Sequence, residues 1–392
     1  MYTEKIPFED NDPLRIQLYK IDEYPLHCHE DAIEIIFVLK GTVKVKVSFE
    51  YFTLSEGDYV VVNKEDSHKI WRHDKRDNMV AVFQISLLQY RSAFPHIDYV
   101  LFACESFDLA KYKGHTTKLR QCLLSLIDNT IKGGEEEATK EITDGIMDTL
   151  VREYSLERYY NRQSDISDEK LAIYYKIVQY IYENYTAKTI LEDIARESFY
   201  SKSYISHLFK EVGAASFQEI LGYIRVYKAE RLLLESDYPL AAISERCGFS
   251  DIKYLNQTFK KWFQIKPSAY RRNYQNQIGK EVKVKPVSHD KAKQKLEALV
   301  NLADDDDEYK VCMTPITLKN IGSKTDLLHC LNQNKSLNES EAAATGKQAG
   351  TSYAVIRIGA DEHAEDTKEQ LKNFLEDFCN KASGEIEYWF IK

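Results

Sequence analysis

The spacing of apolar positions changes period twice along the chain. From residue 15 to about 90 it is that of strands: residues 33–49, IEIIFVLKGTVKVKVSF, are rich in β-branched residues and alternate in their second half, and 52–62, FTLSEGDYVVV, follow after a short break. Helical spacing then takes over. Residues 118–131, KLRQCLLSLIDNTI, and 141–160, EITDGIMDTLVREYSLERYY, predict two amphipathic helices that pack as a pair across the exposed KGGEEEATK. The polar stretch NRQSDISDEK reads as a linker. From Leu171 to Tyr274 the spacing is helical throughout, with breaks near Thr186, Tyr200, Gly213, Tyr238, Gly248 and Lys266. Near its end Ile252, Leu255, Phe259 and Trp262 predict one buried stripe, while Lys253, Asn256, Gln257 and Lys260 fall opposite. Gly248 stands where a tight turn needs positive φ, and Ser250 is the expected N-cap of the helix that follows.

After about Gly279 the character shifts again. KEVKVKPVSHDKAK and an acidic DDDDE run precede NQNKSLNESEAAATGKQAGT, which predicts a mobile loop. Beyond it SYAVIRIG, DTKEQLKNFLEDFCN and EIEYWFIK predict strand, helix and strand.

Length and charge sharpen this division. At 392 residues the chain exceeds one ordinary domain and predicts two or three. The start, MYTEKIPFEDNDPLR, is polar and acidic, and no apolar run is long enough to span a bilayer, so a cytoplasmic protein without membrane contact is expected. Seven cysteines without a CxxC pair argue against a disulfide framework or a zinc ribbon. The net charge of −9 is unevenly spread: residues 187–274 hold fourteen Lys and Arg against ten Asp and Glu, a net of +4, which leaves −13 elsewhere. A locally basic helical domain on an acidic chain suits phosphate binding without indiscriminate DNA coating.

An internal repeat decides the class. Residues 193–210, DIARESFYSKSYISHLFK, align with 242–260, AISERCGFSDIKYLNQTFK, pairing Ser201 with Ser250, Tyr204 with Tyr254 and Phe209 with Phe259. Two helix-turn-helix units are therefore expected, joined by one helix of roughly 20 residues or 30 Å, which would set them about one turn of B-DNA apart.

With LFKEVG at 208–213, IRVYKAERLL at 224–233, ISERCGFSD at 243–251 and KPSAYRR at 266–272, the region 171–274 resembles the DNA-binding domain of the AraC/XylS family of bacterial transcription regulators. Ser244 stands where that family usually has Ala, and Phe199 occupies the turn position filled by Gly248 in the second copy, so a looser first turn is expected. The resemblance implies that two recognition helices, 201–211 and 251–263, enter successive major-groove segments. It places Ser203, Ser206 and His207, then Lys253, Asn256 and Gln257, at base edges. That chemistry is suitable, because Asn and Gln pair bidentately with adenine and Lys donates to guanine. Lys202, Lys210, Lys260 and Lys261 are the expected phosphate contacts.

The first half carries a second constellation. His27, His29, Glu34 and Gly41, then Gly57 and His68, have the spacing of the two cupin motifs, with Asn63 and Glu65 where Pro and Gly are usual. A cupin barrel would bring His27, His29, Glu34 and His68 together as a metal site or, as in many such regulators, as part of an effector pocket. Trp71, Phe37, Phe83 and Tyr59 are the expected apolar walls of a pocket for a sugar or other small polar metabolite. The helices at about 117–160 resemble the family's dimerisation element. In the tail, 317–328 and 371–392 resemble parts of a β-xylosidase-like barrel, but about 110 residues are too few to close one.

The expected fold is multidomain α+β: a cupin-like effector domain at 1–105, a helical dimerisation and linker region at 106–165, an all-α double helix-turn-helix domain at 170–275, and a small α/β appendage at 280–392. The expected protein is not an enzyme but a homodimeric, promoter-binding transcription regulator. A small-molecule effector would modulate it, RNA polymerase is a candidate partner, and no cofactor is needed unless the barrel holds metal. The rivals are a metal-dependent cupin enzyme fused to a DNA-binding domain and a constitutive DNA-binding protein regulated through its C-terminal region.

Overall fold

The computed structural model describes residues 3–8, 12–102, 113–160, 166–213, 215–303, 352–353 and 386–387. Seven strands open the chain: β1 Leu14–His27, β2 Ala32–Lys40, β3 Thr42–Val47, β4 Glu50–Ser55, β5 Tyr59–Val62, β6 His68–Arg72 and β7 Met79–Ser86. They pair antiparallel in the order β4-β3-β6-β1-β7-β2-β5 and form a nearly closed barrel.

Helices follow: α1 Lys113–Lys132, α2 Glu136–Thr149, a π-type turn at Leu150–Tyr154, then α3 Leu156–Tyr160 and α4 Asp168–Asn184. The helix-turn-helix region continues with α5 Ile190–Ser198, α6 Lys202–Glu211, α7 Phe217–Glu235, α8 Leu240–Arg246, α9 Ile252–Phe263 and α10 Pro267–Tyr274. None of these helices is long and apolar enough to cross a membrane.

Strand alternation determines what the barrel packs against. Ile33, Ile35, Phe37 and Leu39 of β2, with Tyr59, Phe83 and Ile85, share one buried cluster with Leu119, Leu123 and Ile127 of α1 and Ile146 and Met147 of α2. The expected aromatic walls Phe37, Tyr59 and Phe83 thus face outward onto helices, because odd positions of β2 lie opposite Glu34. A second cluster joins Val226, Ala229 and Leu233 of α7 to Ile243, Leu255, Phe259, Phe263 and Tyr270, and it includes Leu26 and Cys28 of the barrel. Each fully buried Val, Leu, Ile or Phe among them contributes about 1.5–3 kcal/mol by leaving water. The second helix-turn-helix unit therefore shares its core with the barrel.

After α10 the chain returns to the barrel. Strand β8, Lys283–Pro286, pairs antiparallel with Tyr19–Glu23 of β1, and the Val287 N–H donates to the Leu18 carbonyl at 2.9 Å. Helix α11, His289–Ala303, buries Ala292 and Leu296 and brings Lys295 within 3.2 Å of Glu56. The compact unit accordingly includes residues up to Leu299, so 280 is not the boundary between the barrel assembly and the C-terminal region. Ser352–Tyr353 pairs in parallel with Ile386–Glu387, where two of the tail strands were expected. The rest of the tail, including the expected loop and the helix at 366–380, and the first half of the linker, at 161–165, lie outside the described residues.

Candidate nucleic-acid interface and barrel centre

The two helix-turn-helix units are built by matching local devices. Ser201 caps α6, its Oγ accepting from the Tyr204 N–H at 3.1 Å; Asp251, not Ser250, caps α9, its Oδ1 accepting from the Tyr254 N–H at 2.8 Å. A carboxylate at that position also complements the positive end of the helix. Gly248 has φ +74°, and a Cβ there would lie 2.7–2.9 Å from the backbone of Tyr185 and Thr186. Phe199 takes the equivalent left-handed conformation at φ +59°. The first turn is therefore no looser than the second, contrary to the expectation from its side chain.

Between the units α7 is held at its start and at its middle. Ser216 and Glu219 form a capping box at its start. Arg225 donates to the carbonyls of Tyr185 (2.7 Å) and Ala187 (2.9 Å), fixing α7 to the loop before α5.

On α9 Leu255, Phe259 and Phe263 are buried, Trp262 is half-buried, and Ile252 is exposed, so the stripe starts one turn later than its spacing suggests. Lys253 and Gln257 are exposed and Asn256 half-buried; on α6, Ser203 and His207 are exposed and Ser206 half-buried. The six expected base-facing residues thus occupy the wet sides of their helices. His207 approaches Glu211 of its own helix at 3.4 Å. Among the expected phosphate contacts, Lys202 pairs with Glu192 and Lys261 with Glu219 (2.8 Å), whereas Lys210 and Lys260 are exposed and make no ion pair among the described residues.

In the barrel, His27 ends β1, His29 lies in the turn beyond it, Glu34 is on β2 and His68 opens β6, directly opposite His27. All four are at most 5 % exposed, and one donor atom from each lies within 4.8 Å of the others. His29 Nε2 is 3.0 Å from Glu34 Oε2 and His68 Nε2 is 3.3 Å from Glu34 Oε1, the latter without hydrogen-bond geometry.

Each imidazole is oriented from behind: Nδ1 of His27, His29 and His68 faces the carbonyls of Pro25 (2.8 Å), Glu4 (3.4 Å) and Asp66 (3.0 Å). Donation from Nδ1 would leave the Nε2 of His27 and of His68 with its lone pair toward the centre, the arrangement that presents imidazole to a cation, whereas His29 Nε2 donates to Glu34 Oε2 and would give up that proton to bind one. Gln84, which sequence reasoning missed, donates to Glu34 Oε2 at 2.9 Å.

Burial pushes the Glu34 carboxyl up, but the imidazoles of His68 and His29 outweigh it and hold Glu34 well below the usual carboxylate range. Burial, reinforced by the nearby His68, holds His27 well below its ordinary value. His29 is raised, because its contact with Glu34 overcomes its burial.

Trp71 is not part of this centre. Alternation along β6 puts His68 and Ile70 on one face and Lys69 and Trp71 on the other, where Trp71 meets Tyr51 edge to face. With the other aromatics also turned away, the aromatic wall expected for a sugar is not formed.

A second polar cluster, which the spacing of TVKVKV gave no reason to expect, joins the barrel to the helices. Lys46 of β3 is buried and donates to the Ser48 carbonyl and to Tyr270 Oη at 3.2 Å, with the Tyr274 ring 4.8 Å from its ammonium. Glu230 of α7, also buried, accepts from Ser67 Oγ at 2.5 Å and from Tyr270. Around this cluster Glu65 pairs with Lys228 (2.7 Å) and Glu30 with Arg231 (2.6 Å).

A helix-turn-helix domain model matches residues 194–273, and a cupin domain model matches residues 18–84. The HTH-type transcriptional regulator YijO of Escherichia coli is 34% identical over 116 residues, 30% of this chain and 41% of YijO. The lactose operon transcription activator of Staphylococcus xylosus is 31% identical over 117 residues, 30% of this chain and 41% of that protein. The chain thus spans about two-fifths of these two relatives. The HTH-type transcriptional activator RhaR of Mannheimia succiniciproducens is 24% identical over a longer stretch, 258 residues, covering 64% of this chain and 88% of RhaR.

Proposed function

The chain belongs to the AraC/XylS family of transcription regulators, and on that premise we propose that it binds promoter DNA as a homodimer through α6 and α9, under control of a ligand in the barrel. The observation that carries the control is a run of buried polar contacts from the barrel centre to the DNA-binding domain. His68 is tied to the Asp66 carbonyl, the Asp66 side chain to Ser48, and the adjacent Ser67 to Glu230 on α7, the helix that joins both recognition units. A ligand that moves His68 also moves the loop gripping α7, and it shifts the equilibrium by as much as its affinity differs between the two arrangements.

The centre suits a divalent transition ion better than a sugar: it offers three imidazoles and a carboxylate, all buried, with one donor atom of each within 4.8 Å of the others. His27, His29, His68 and Glu34 would hold it. We read the barrel as a sensor and not a catalyst, because the burial of all four donors leaves an organic substrate no approach in this conformation.

DNA selection from a random pool, repeated with purified full chain after chelation and after reloading with Mn, Fe, Ni or Zn, tests both parts. Recovery of a site with two segments about one helical turn apart, whose affinity changes on loading, is the expected result. A selected site bound with identical affinity by chelated and fully loaded protein would remove the sensing role, and substrate turnover by the loaded protein would restore the enzyme reading.

A further inference from the structure

Phe199 stands apart from every other large apolar side chain among the described residues. It is 94 % exposed, whereas the others that are exposed lie between 37 and 46 %. It also adopts a left-handed backbone conformation, φ +59°, which costs a residue with a Cβ about 1–2 kcal/mol. The second unit satisfies the same turn with Gly248, at no such cost. A bulky ring held in a strained turn and left almost wholly in water gains no burial to offset that strain in the isolated protein, which directs attention to what the ring meets outside the chain.

Its position indicates the partner. Phe199 lies two residues before Ser201, the cap of α6, and the N-terminal end of a recognition helix is the part that meets base edges. The wet face of α6 is a weak reader by itself. Its three expected base-facing positions are two serines, which accept either kind of base, and His207, which is drawn toward Glu211. On α9, by contrast, Lys253, Asn256 and Gln257 can discriminate bases by hydrogen bonding. Only an apolar group can recognise the one apolar feature of the major groove, the thymine methyl.

We propose that Phe199 is a specificity-determining residue that packs against a thymine methyl in the half-site read by α6. The assignment rests on the promoter-binding reading above and adds to it a residue outside the recognition helix. It makes the first half-site depend on shape and hydrophobic contact and the second on hydrogen bonding.

The test uses the full chain and the duplex it selects from a random pool, with each thymine of the α6 half-site replaced in turn by deoxyuridine, which lacks only the methyl. Wild type should lose roughly fourfold in affinity at one position, the worth of one buried methyl. In Phe199→Gly, overall affinity should fall and that position should become indifferent to the methyl, while thermal stability is retained or raised because the turn strain is gone. A Phe199→Gly protein that binds like wild type, or that still loses affinity on the same replacement, overturns the assignment. If this variant binds DNA like wild type but fails to activate transcription with purified polymerase, the ring's partner is a protein and the DNA contact is wrong. A wild-type chain that selects no site at all would bring down the promoter-binding reading and this assignment with it.

Discussion

Removing the Lys46 ammonium should destabilise the protein far more than removing the Glu230 charge, and the asymmetry follows from the geometry of the buried cluster. Burial pushes the Lys46 amine down to about 8, against the opposing pull of Glu230 and Asp66. Glu230→Gln keeps an acceptor for Ser67 and Tyr270 and removes only the charge. The amine can then fall further, but at pH 7 the added penalty ends once it releases its proton. That bound is the interval from about 8 to 7, on the order of 1 kcal/mol.

In Lys46→Ala the Glu230 carboxyl, already raised by burial, can limit its own charge penalty by taking up a proton, but no proton transfer replaces the lost side chain. The substitution leaves the Ser48 carbonyl without its ammonium donor, strands a buried Glu230 and opens a cavity beside Tyr270, for about 3–5 kcal/mol. The double variant Lys46→Met with Glu230→Gln should return to within about 1 kcal/mol of wild type, since it removes both charges together and leaves neither one buried without its partner. Urea unfolding of the full chain at pH 7, followed by tryptophan fluorescence, measures all three. If Lys46→Ala costs less than about 1 kcal/mol, the barrel and α10 do not pack together in solution, and the proposed route from His68 to α7 fails with them.

Three further outcomes are expected. Gly248→Val should cost about 3 kcal/mol in the same unfolding assay, from left-handed strain plus its clash with the backbone of Tyr185 and Thr186; unchanged stability would show that the turn is not tight. Gln257→Ala should cost roughly 1–3 kcal/mol at a selected site and relax discrimination at one base pair, whereas Lys260→Ala should weaken all sequences alike and reduce the salt slope by about one; fluorescence anisotropy over a salt series distinguishes them. Burial raises the Glu157 carboxyl despite the Tyr175 hydroxyl that donates to it at 2.7 Å, so the folded state holds this proton more tightly than the unfolded state. That contribution is fully present below about 4.5 and is lost as pH rises through the folded value. Glu157→Gln should therefore raise the melting temperature at pH 7.5, with the gain disappearing toward pH 4.5; a constant difference across the range would contradict the assignment.

What could be read from the sequence was local. Six breaks assigned to the helical region from Thr186 to Lys266 fall at the observed gaps between α4 and α10, because each is marked by a turn or capping residue whose preference is set by its own backbone. The histidine and glutamate constellation was equally visible, since cupin spacing specifies which strand ends meet. Facing was harder to read. Trp71, Phe37, Tyr59 and Phe83 are expected inside the barrel by residue type, while strand alternation turns Phe37, Tyr59 and Phe83 out onto helices and Trp71 onto Tyr51. Nothing in TVKVKV marks Lys46 for burial, which goes with the docking of Tyr270 and Tyr274 of α10 onto it. Phe199 was expected to loosen a turn that it occupies under strain. In each case the decisive neighbour comes from a different element, beyond the reach of any local pattern.

Strand β8 has a consequence for synthesis. Because Lys283–Pro286 pairs with β1, the DNA-binding helices are an insertion within the barrel assembly, bounded by its strands on both sides. On a ribosome moving at about 5–20 residues per second, the 200 residues from Ser86 to Pro286 take roughly 10–40 s. For that interval the β1 edge that β8 will occupy stands open, a template for pairing with other nascent chains. A gene fragment ending at Tyr274 would never close that edge, so the DNA-binding half with its barrel should be more prone to aggregate than the full chain.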